Sequence, residues 1–394
     1  MNTTQNTSRG RPDFLLLIMT LLLVGFGLVM VFSASSNIAV VNEKFNNDAL
    51  YFTKRQVVWA FIGIVFMLFM MNVRYTFYKK SFLLFFTPVV IMLLIVPFTD
   101  PVNGARSWFQ IGSLGIQPTE PAKLAIILYI GALIAKKGEK FRDFKKGLVP
   151  VIVIVGFVCF LILLQPDIGS CFVLAACASV MILAGGANLR HITVAGGFIL
   201  ALVIVGVSIW MAADPDGWAY RIDRFTAYMD PLDPANQQES AFHLVSSLQA
   251  LGHGGILGAG FGESVQKLHY LPYPYNDFIF SVIAEELGFI GAAFFLLFYL
   301  LFLWRALIVA LRCPDIYGTV VGVGIVALFA IQAFINVGGV TGTIPITGVT
   351  LPFISYGGSS LLVCLMCMGV LLSISREYNR TAEKEKRPHM KVVK

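Results

Sequence analysis

Ten apolar runs leave this chain little choice of fold. They cover roughly 14–34, 57–72, 82–97, 121–135, 149–164, 170–187, 192–212, 278–304, 317–340 and 350–375. In hydrocarbon every backbone N–H and C=O must be paired within the protein, so only helices and closed barrels cross a bilayer. Runs of this length suit helices; a barrel strand needs only about 9–11 residues. Several runs fall short of the ~20 residues of a perpendicular span, so their ends are expected to extend into flanking polar residues. Of the 394 residues, 57% are hydrophobic and 13% charged, which excludes a water-soluble domain. The expected fold is an all-α integral membrane protein. Ten transmembrane helices fill 14–375, with a large extracytoplasmic loop, 213–277, between helices 7 and 8. Tails 1–13 and 376–394 flank them, and the last ~18 residues are charged enough to be expected disordered.

The first run invites another reading. Arg9 and Arg11 precede it and Ser33-Ala34-Ser35 follows it, as in a signal peptide. From Phe14 to Phe32 it is too long for a typical signal core and long enough to span, so it is expected to stay as the first helix.

Basic residues set the orientation. With the N-terminus inside, 21 of the 29 Lys and Arg fall in inner segments and 7 in outer ones, with Lys123 inside the fourth run. Such a bias places both termini in the cytoplasm. The net charge of +7 is therefore a signal of topology and of anionic membrane lipids, not of nucleic acid. Five of the six cysteines lie in apolar runs and Cys313 in a short inner loop, so neither a disulfide framework nor a zinc site is expected.

Ionisable groups cluster toward the outer leaflet. In Tyr270–Gly288, YLPYPYNDFIFSVIAEELG, Asp277 sits where water gives way to hydrocarbon, with Glu285 and Glu286 two turns deeper. Charge near the bilayer core costs about 2.5–3.5 kcal/mol even on lenient insertion scales, so such an acid is a functional candidate. It is equally placed to cap the next helix. Arg106 beside Trp108 reads as an anion-binding pair or as an interfacial anchor. Glu120 and Lys123, three apart, share a helix face and can pair, as a structural bridge or as the lining of a polar cavity. Asp167 is a candidate cap for the sixth helix. Residues 242–251 have helical apolar spacing and suit a helix along the membrane surface. Gly and Pro around Ser355 suggest a broken tenth helix, or close packing by small residues. The Gly-rich run 252–262 follows no parallel strand, so a dinucleotide site is not expected, and His243, His253 and His269 match no zinc spacing. With Arg221, Glu263 and Lys267, these groups outline one outward-opening polar cavity, suited to an amphiphile with an anionic head and a lipid tail.

The motifs RSW at 106–108, QPTEPAK at 117–123, QPDIG at 165–169, the Asp277 stretch and LPFISYGGSS at 351–360 occur in one order. Jointly they resemble the SEDS family (shape, elongation, division, sporulation) over about residues 10–378, and the division type more than the elongation type. The resemblance implies a ten-helix peptidoglycan glycosyltransferase that polymerises lipid II at the outer face of the cytoplasmic membrane. It implies a class B penicillin-binding protein as partner, with other divisome membrane proteins at the division septum. By it, Asp277 is the essential aspartate, with a divalent cation, Mg²⁺ or Mn²⁺, as a further expectation at that carboxylate. Arg106, Trp108, Glu120, Lys123, Asp167, Arg221, Lys267 and Ser355 are the substrate-binding candidates. A lipid II flippase and a non-catalytic divisome scaffold are the alternatives. The flippase predicts polar groups at both leaflets, and the inner segments lack acidic-plus-aromatic constellations.

Overall fold

The computed structural model describes residues 10–100, 106–111, 114–165, 167–194, 196–197, 211, 228–231, 240–268, 270–271 and 273–391, the side chains of 111, 114, 240 and 381–391 apart. Arg221 and most of the expected seventh span, 192–212, lie outside the described residues.

The described residues of the seventh apolar run, 192–194, 196–197 and 211, are helical, and the other nine runs contain the longer helices. These are α1 (Phe14–Val41), α2 (Tyr51–Asn72), α4 (Phe82–Ile95), α5 (Thr119–Lys137), α6 (Val149–Leu163), α7 (Ile168–Ala184), α9 (Ile279–Leu311), α10 (Ile316–Val340) and α11 (Gly358–Lys391). A short α3 (Tyr75–Lys80) joins α2 to α4, and α8 (Ser240–Gly254) precedes α9. Among the described residues six helical segments are long and apolar enough to span a bilayer, and Phe82–Phe98 and Ile168–Ala184 are shorter apolar helices. The chain is thus a helical membrane protein.

Burial separates inner from outer helices. In the most apolar stretches of α10 and α11, 72% and 83% of residues are buried, against 33–44% for the other long spans. Those two helices form the core, and the exposed Leu, Phe and Ile of α1, α2, α4 and α9 face lipid. Glycines let α11 approach α2 closely: Trp59 fills the space a Cβ at Gly358 would need, and Gly63 and Gly369 meet Leu365 and Met67. At the opposite end Asp13 caps α1 through Leu16 N at 3.0 Å and pairs with Arg305 of α9 at 2.7 Å.

Four features correct the sequence reading. Thr119–Lys137 forms a helix but is preceded by a small antiparallel hairpin, β1 (Phe109–Ile111) and β2 (Leu114–Ile116), which an all-α reading omits. The tenth run turns helical only at Gly358. Residues 350–357 are loop, because Phe353 adopts φ 69° and Ser355 turns back on Leu351 N at 2.8 Å. The C-terminal segment expected to be disordered continues α11 to Lys391, since its Ala, Glu and Lys residues favour helix. Finally, α8 packs across the first turns of α9 and is joined to the bundle. Ser247 Oγ lies 2.7 Å from Ser281 Oγ and donates to Val340 O at 2.7 Å.

α9 itself breaks at Gly288, with φ 68° and ψ −172°. Nine residues below Ile279, the break lies ~13 Å into the helix at 1.5 Å per residue. Broken backbone at that depth must be paired within protein. Loop 255–260 supplies the partners. Ala259 N and Gly260 N donate to Glu285 O and Glu286 O at 2.9 and 3.1 Å. Phe289 N and Ile290 N donate to Gly255 O and Ile256 O at 2.9 and 3.2 Å. Gly258 and Gly288 abut so closely that neither leaves room for a Cβ. The Gly-rich run is therefore the plug of a broken helix.

Candidate active site at the head of α9

Asp277 closes the turn before α9. The capping alternative does not hold: the N-cap is Phe278 and no side chain caps there. The Asp277 carboxylate is half-buried, and among the described residues no side chain donates to it. Its Oδ2 lies 3.7 Å from where a Cβ at Gly348 would stand. Loss of water raises its pKa from 3.8 to about 6. It is therefore ionised at neutral pH yet basic enough to accept a proton.

Three consecutive carbonyls hold this acid in place. Tyr275 O accepts from Tyr356 N at 2.8 Å, Asn276 O from Ser355 Oγ at 2.7 Å, and Asp277 O from Asn336 Nδ2 at 2.8 Å. The same Asn336 amide donates to Val349 O at 2.9 Å. Gln56 of α2 donates to Ser355 O at 3.1 Å and accepts from Gly357 N at 3.3 Å. Phe52, Tyr275 and Tyr356 pack as an aromatic cluster behind the turn, with centroids 4.2–5.6 Å apart. Phe353 holds its left-handed backbone because its ring is wedged between Phe302 and Phe329. Such strain persists only where packing over-determines it, and it concentrates at functional sites.

The other motifs reach the same end of the bundle. Asp167 caps α7 through Ser170 N at 2.9 Å, and its other oxygen accepts from Gln117 Nε2 at 3.2 Å. QPDIG and QPTEPAK are thereby joined. Gly169 sits against Thr347 O and Val349, in the loop that also flanks Asp277. Trp108 is half-buried and lies over Gly115 of β2, and β2 packs on α11; Arg106 beside it is exposed. Glu120 and Lys123 do pair, at 2.8 Å, and are closed in, with side chains 8% and 3% exposed.

Lys267 belongs to a second cluster, at the break in α9. Its ammonium pairs with Glu286 Oε1 at 2.8 Å and donates to Gly262 O at 2.7 Å and Ser33 Oγ at 3.2 Å. Glu285 accepts from Ser264 Oγ, Val265 N at 2.9 Å and Gln266 N at 3.3 Å, and His253 Nδ1 lies 2.8 Å away. Ser33 and Lys267 border a cleft of about 420 Å³ between the end of α1 and loop 261–268.

Sequence reasoning passed over Asn336, Gln56 and Ser33. Asn336 carried a usable signal: it is a lone amide inside an apolar run, where a polar side chain is rarely idle. For metal binding, no group of three His, Cys, Asp or Glu comes together among the described residues. The side-chain oxygens at the turn are the Asp277 carboxylate and Asn276 Oδ1, which is buried without a protein partner among the described residues. Oxygen donors suit a hard cation, but here they amount to one carboxylate and one amide rather than a cage.

Fold and site together define a polytopic membrane protein with one acid poised at the mouth of a helical bundle. The FtsW/RodA/SpoVE family model, described as "Cell cycle protein", matches residues 13–380, and the chain belongs to that family. It is 43% identical to the Stage V sporulation protein E of Bacillus subtilis (strain 168), covering 96% of this chain and all of that one. It is 38% identical to the "Probable peptidoglycan glycosyltransferase FtsW" of Trichlorobacter lovleyi, over 92% of this chain and 93% of that one. Among solved structures it matches a chain of a peptidoglycan synthase complex, described as coordinating polymerization and crosslinking. The TM-score is 0.74 at 28% identity, covering 93% of this chain and 98% of that one. Thermus thermophilus RodA gives a TM-score of 0.65 at 25% identity, covering 93% and 97%.

Proposed function

We propose that this chain polymerises lipid II into glycan strands at the outer face of the cytoplasmic membrane, with Asp277 as the general base. It is a peptidoglycan glycosyltransferase, as its 35–38% identical relatives are named. The observation that carries the role of Asp277 is a carboxylate with no partner among the described residues, on a turn whose three carbonyls are each fixed.

The acceptor is the GlcNAc 4-hydroxyl of one lipid II. Its oxygen attacks the MurNAc anomeric carbon of the growing strand from the face opposite the diphosphate, inverting that centre. The C–O bond to undecaprenyl diphosphate breaks, and the hydroxyl proton passes to Asp277. General-base assistance contributes about 10²–10⁴-fold. Exposed Arg106 offers the bidentate guanidinium that a leaving diphosphate requires, beside the flat face of Trp108. Lys123 stays paired with Glu120 and shapes the wall, and Asp167 and Ser355 brace the loops around the acid. Arg221 of the outer loop is a further candidate for the diphosphate by its charge, whereas Lys267, spent on Glu286, Gly262 O and Ser33, holds its loop to the bundle. Mg²⁺ or Mn²⁺ carried in on the diphosphate would take Asp277 as one oxygen ligand and offset phosphate charge.

Ten spans, both termini in the cytoplasm and a septal position with divisome membrane proteins complete this reading; the basic-residue bias supports the orientation. The partner is a class B penicillin-binding protein, supported by the likeness to a chain of a synthase complex. The test is purified protein, with and without that partner, given labelled lipid II. Asp277→Asn is expected to make no polymer while folding normally. Polymer formed by that variant at the normal rate would overturn the assignment.

A further inference from the structure

The amide of Asn336 has one possible orientation. Its two neighbours are both carbonyl oxygens, Asp277 O at 2.8 Å and Val349 O at 2.9 Å, and only an NH₂ group can serve both. Its own Oδ1 therefore points away, buried and without a protein partner among the described residues. The side chain is 4% exposed and sits on α10, one of the two core helices. It joins two otherwise separate segments, the Asp277 turn and the loop carrying Gly348, against which the carboxylate rests. The remaining ties, Ser355 to Asn276 O and Tyr356 N to Tyr275 O, come from loop 351–357. Among the described residues it is Asn336 that binds the carbonyl of Asp277 itself, and it reaches it from α10.

We infer that Asn336 is a positioning residue of the reaction: by tying the Asp277 turn to the Gly348 loop it holds the carboxylate in one place for the acceptor hydroxyl. The inference rests on the reading of Asp277 as general base. The neighbours fixed around the turn, Asn336, Gly348, Ser355 and Tyr356, carry no charge at neutral pH. Arg55 of α2 interacts with Tyr51 and Tyr356.

The test uses full-length protein with its partner and labelled lipid II, comparing wild type with Asn336→Ala, Asn336→Gln and Asp277→Asn. Asn336→Ala is expected to lower kcat about 30-fold with KM changed less than about threefold, because the substrate is still held while the carboxylate is no longer fixed in place. Asn336→Gln keeps both N–H groups and is expected to recover at least about a tenth of the wild-type kcat. A merely structural role would reduce the fraction of folded enzyme and leave kcat per folded enzyme at the wild-type value. That result, or a wild-type rate in Asn336→Ala, overturns the inference. Activity in Asp277→Asn would instead overturn the reading beneath it.

Discussion

Lys267 Nζ lies 2.8 Å from Glu286 Oε1, and their side chains are 6% and 0% exposed. Gly262 O and Ser33 Oγ take the other ammonium hydrogens, so the cation is fully committed. Breaking a buried pair by removing one partner costs about 3–5 kcal/mol, because a bare charge remains. Lys267→Met is therefore expected to lower the thermal midpoint sharply, and Lys267→Met with Glu286→Leu to restore much of it. Thermal unfolding in detergent measures both. A single variant as stable as wild type would mean that the pair does not hold the plug.

Asp277 gives a pH dependence of definite sign. Burial raises its pKa from 3.8 to about 6, so the native state holds its proton more tightly than the unfolded chain. Its contribution to stability is present below about pH 4, declines as pH rises to about 6, and is gone above that. Asp277→Asn should consequently be more stable than wild type at about pH 7.5, by about 1–2 kcal/mol given that part of the carboxylate meets water, and equal to it near pH 4. Polymerisation should run in the opposite sense, falling about tenfold per unit below about pH 6. Unfolding curves and initial rates across that range check the pair of predictions.

The break in α9 makes Gly288 irreplaceable on two counts. Its φ of 68° disfavours any L side chain, and Gly258 occupies the place of a Cβ. Gly288→Ala should destabilise by more than about 3 kcal/mol. Gly25 on α1 is the control: nothing lies within 4 Å of a Cβ there, and Gly25→Ala should stabilise by about 0.5–1 kcal/mol. Expression level and thermal midpoint distinguish the two.

Trp59 and Gly358 form a size-matched pair between α2 and α11. Gly358→Val forces these helices apart and should destabilise by about 1–3 kcal/mol, and Trp59→Ala by about 3–5 kcal/mol. Gly358→Ala combined with Trp59→Phe should lose less than the sum of the separate changes, because the smaller ring makes room for the methyl. Strict additivity would argue against direct packing.

Much of this was legible beforehand for local reasons. Apolar length demands helices, so the described part of every run contains helix, and Asp167 read as a cap because a carboxylate before Ile168 can reach Ser170 N. The break at Gly288 was not legible, because AEELGFIGAAF keeps a helical apolar pattern straight through it. Nor was the helical continuation of α11 or the hairpin at 109–116, where charge and shortness argue for disorder or loop.

By itself the sequence determined that this chain lives in a membrane, how its helices are spaced, and that an acid stands at the water boundary before α9. These follow from composition and from neighbours along the chain, over which burial and hydrogen bonding act directly. Only the tertiary structure decided what holds that acid. Gln56 meets Ser355 across 299 positions, Ser355 meets Asn276 across 79 and Asn336 meets Asp277 across 59. Such pairings are chosen by which helices pack together, and each partner satisfies a carbonyl that could not otherwise be buried.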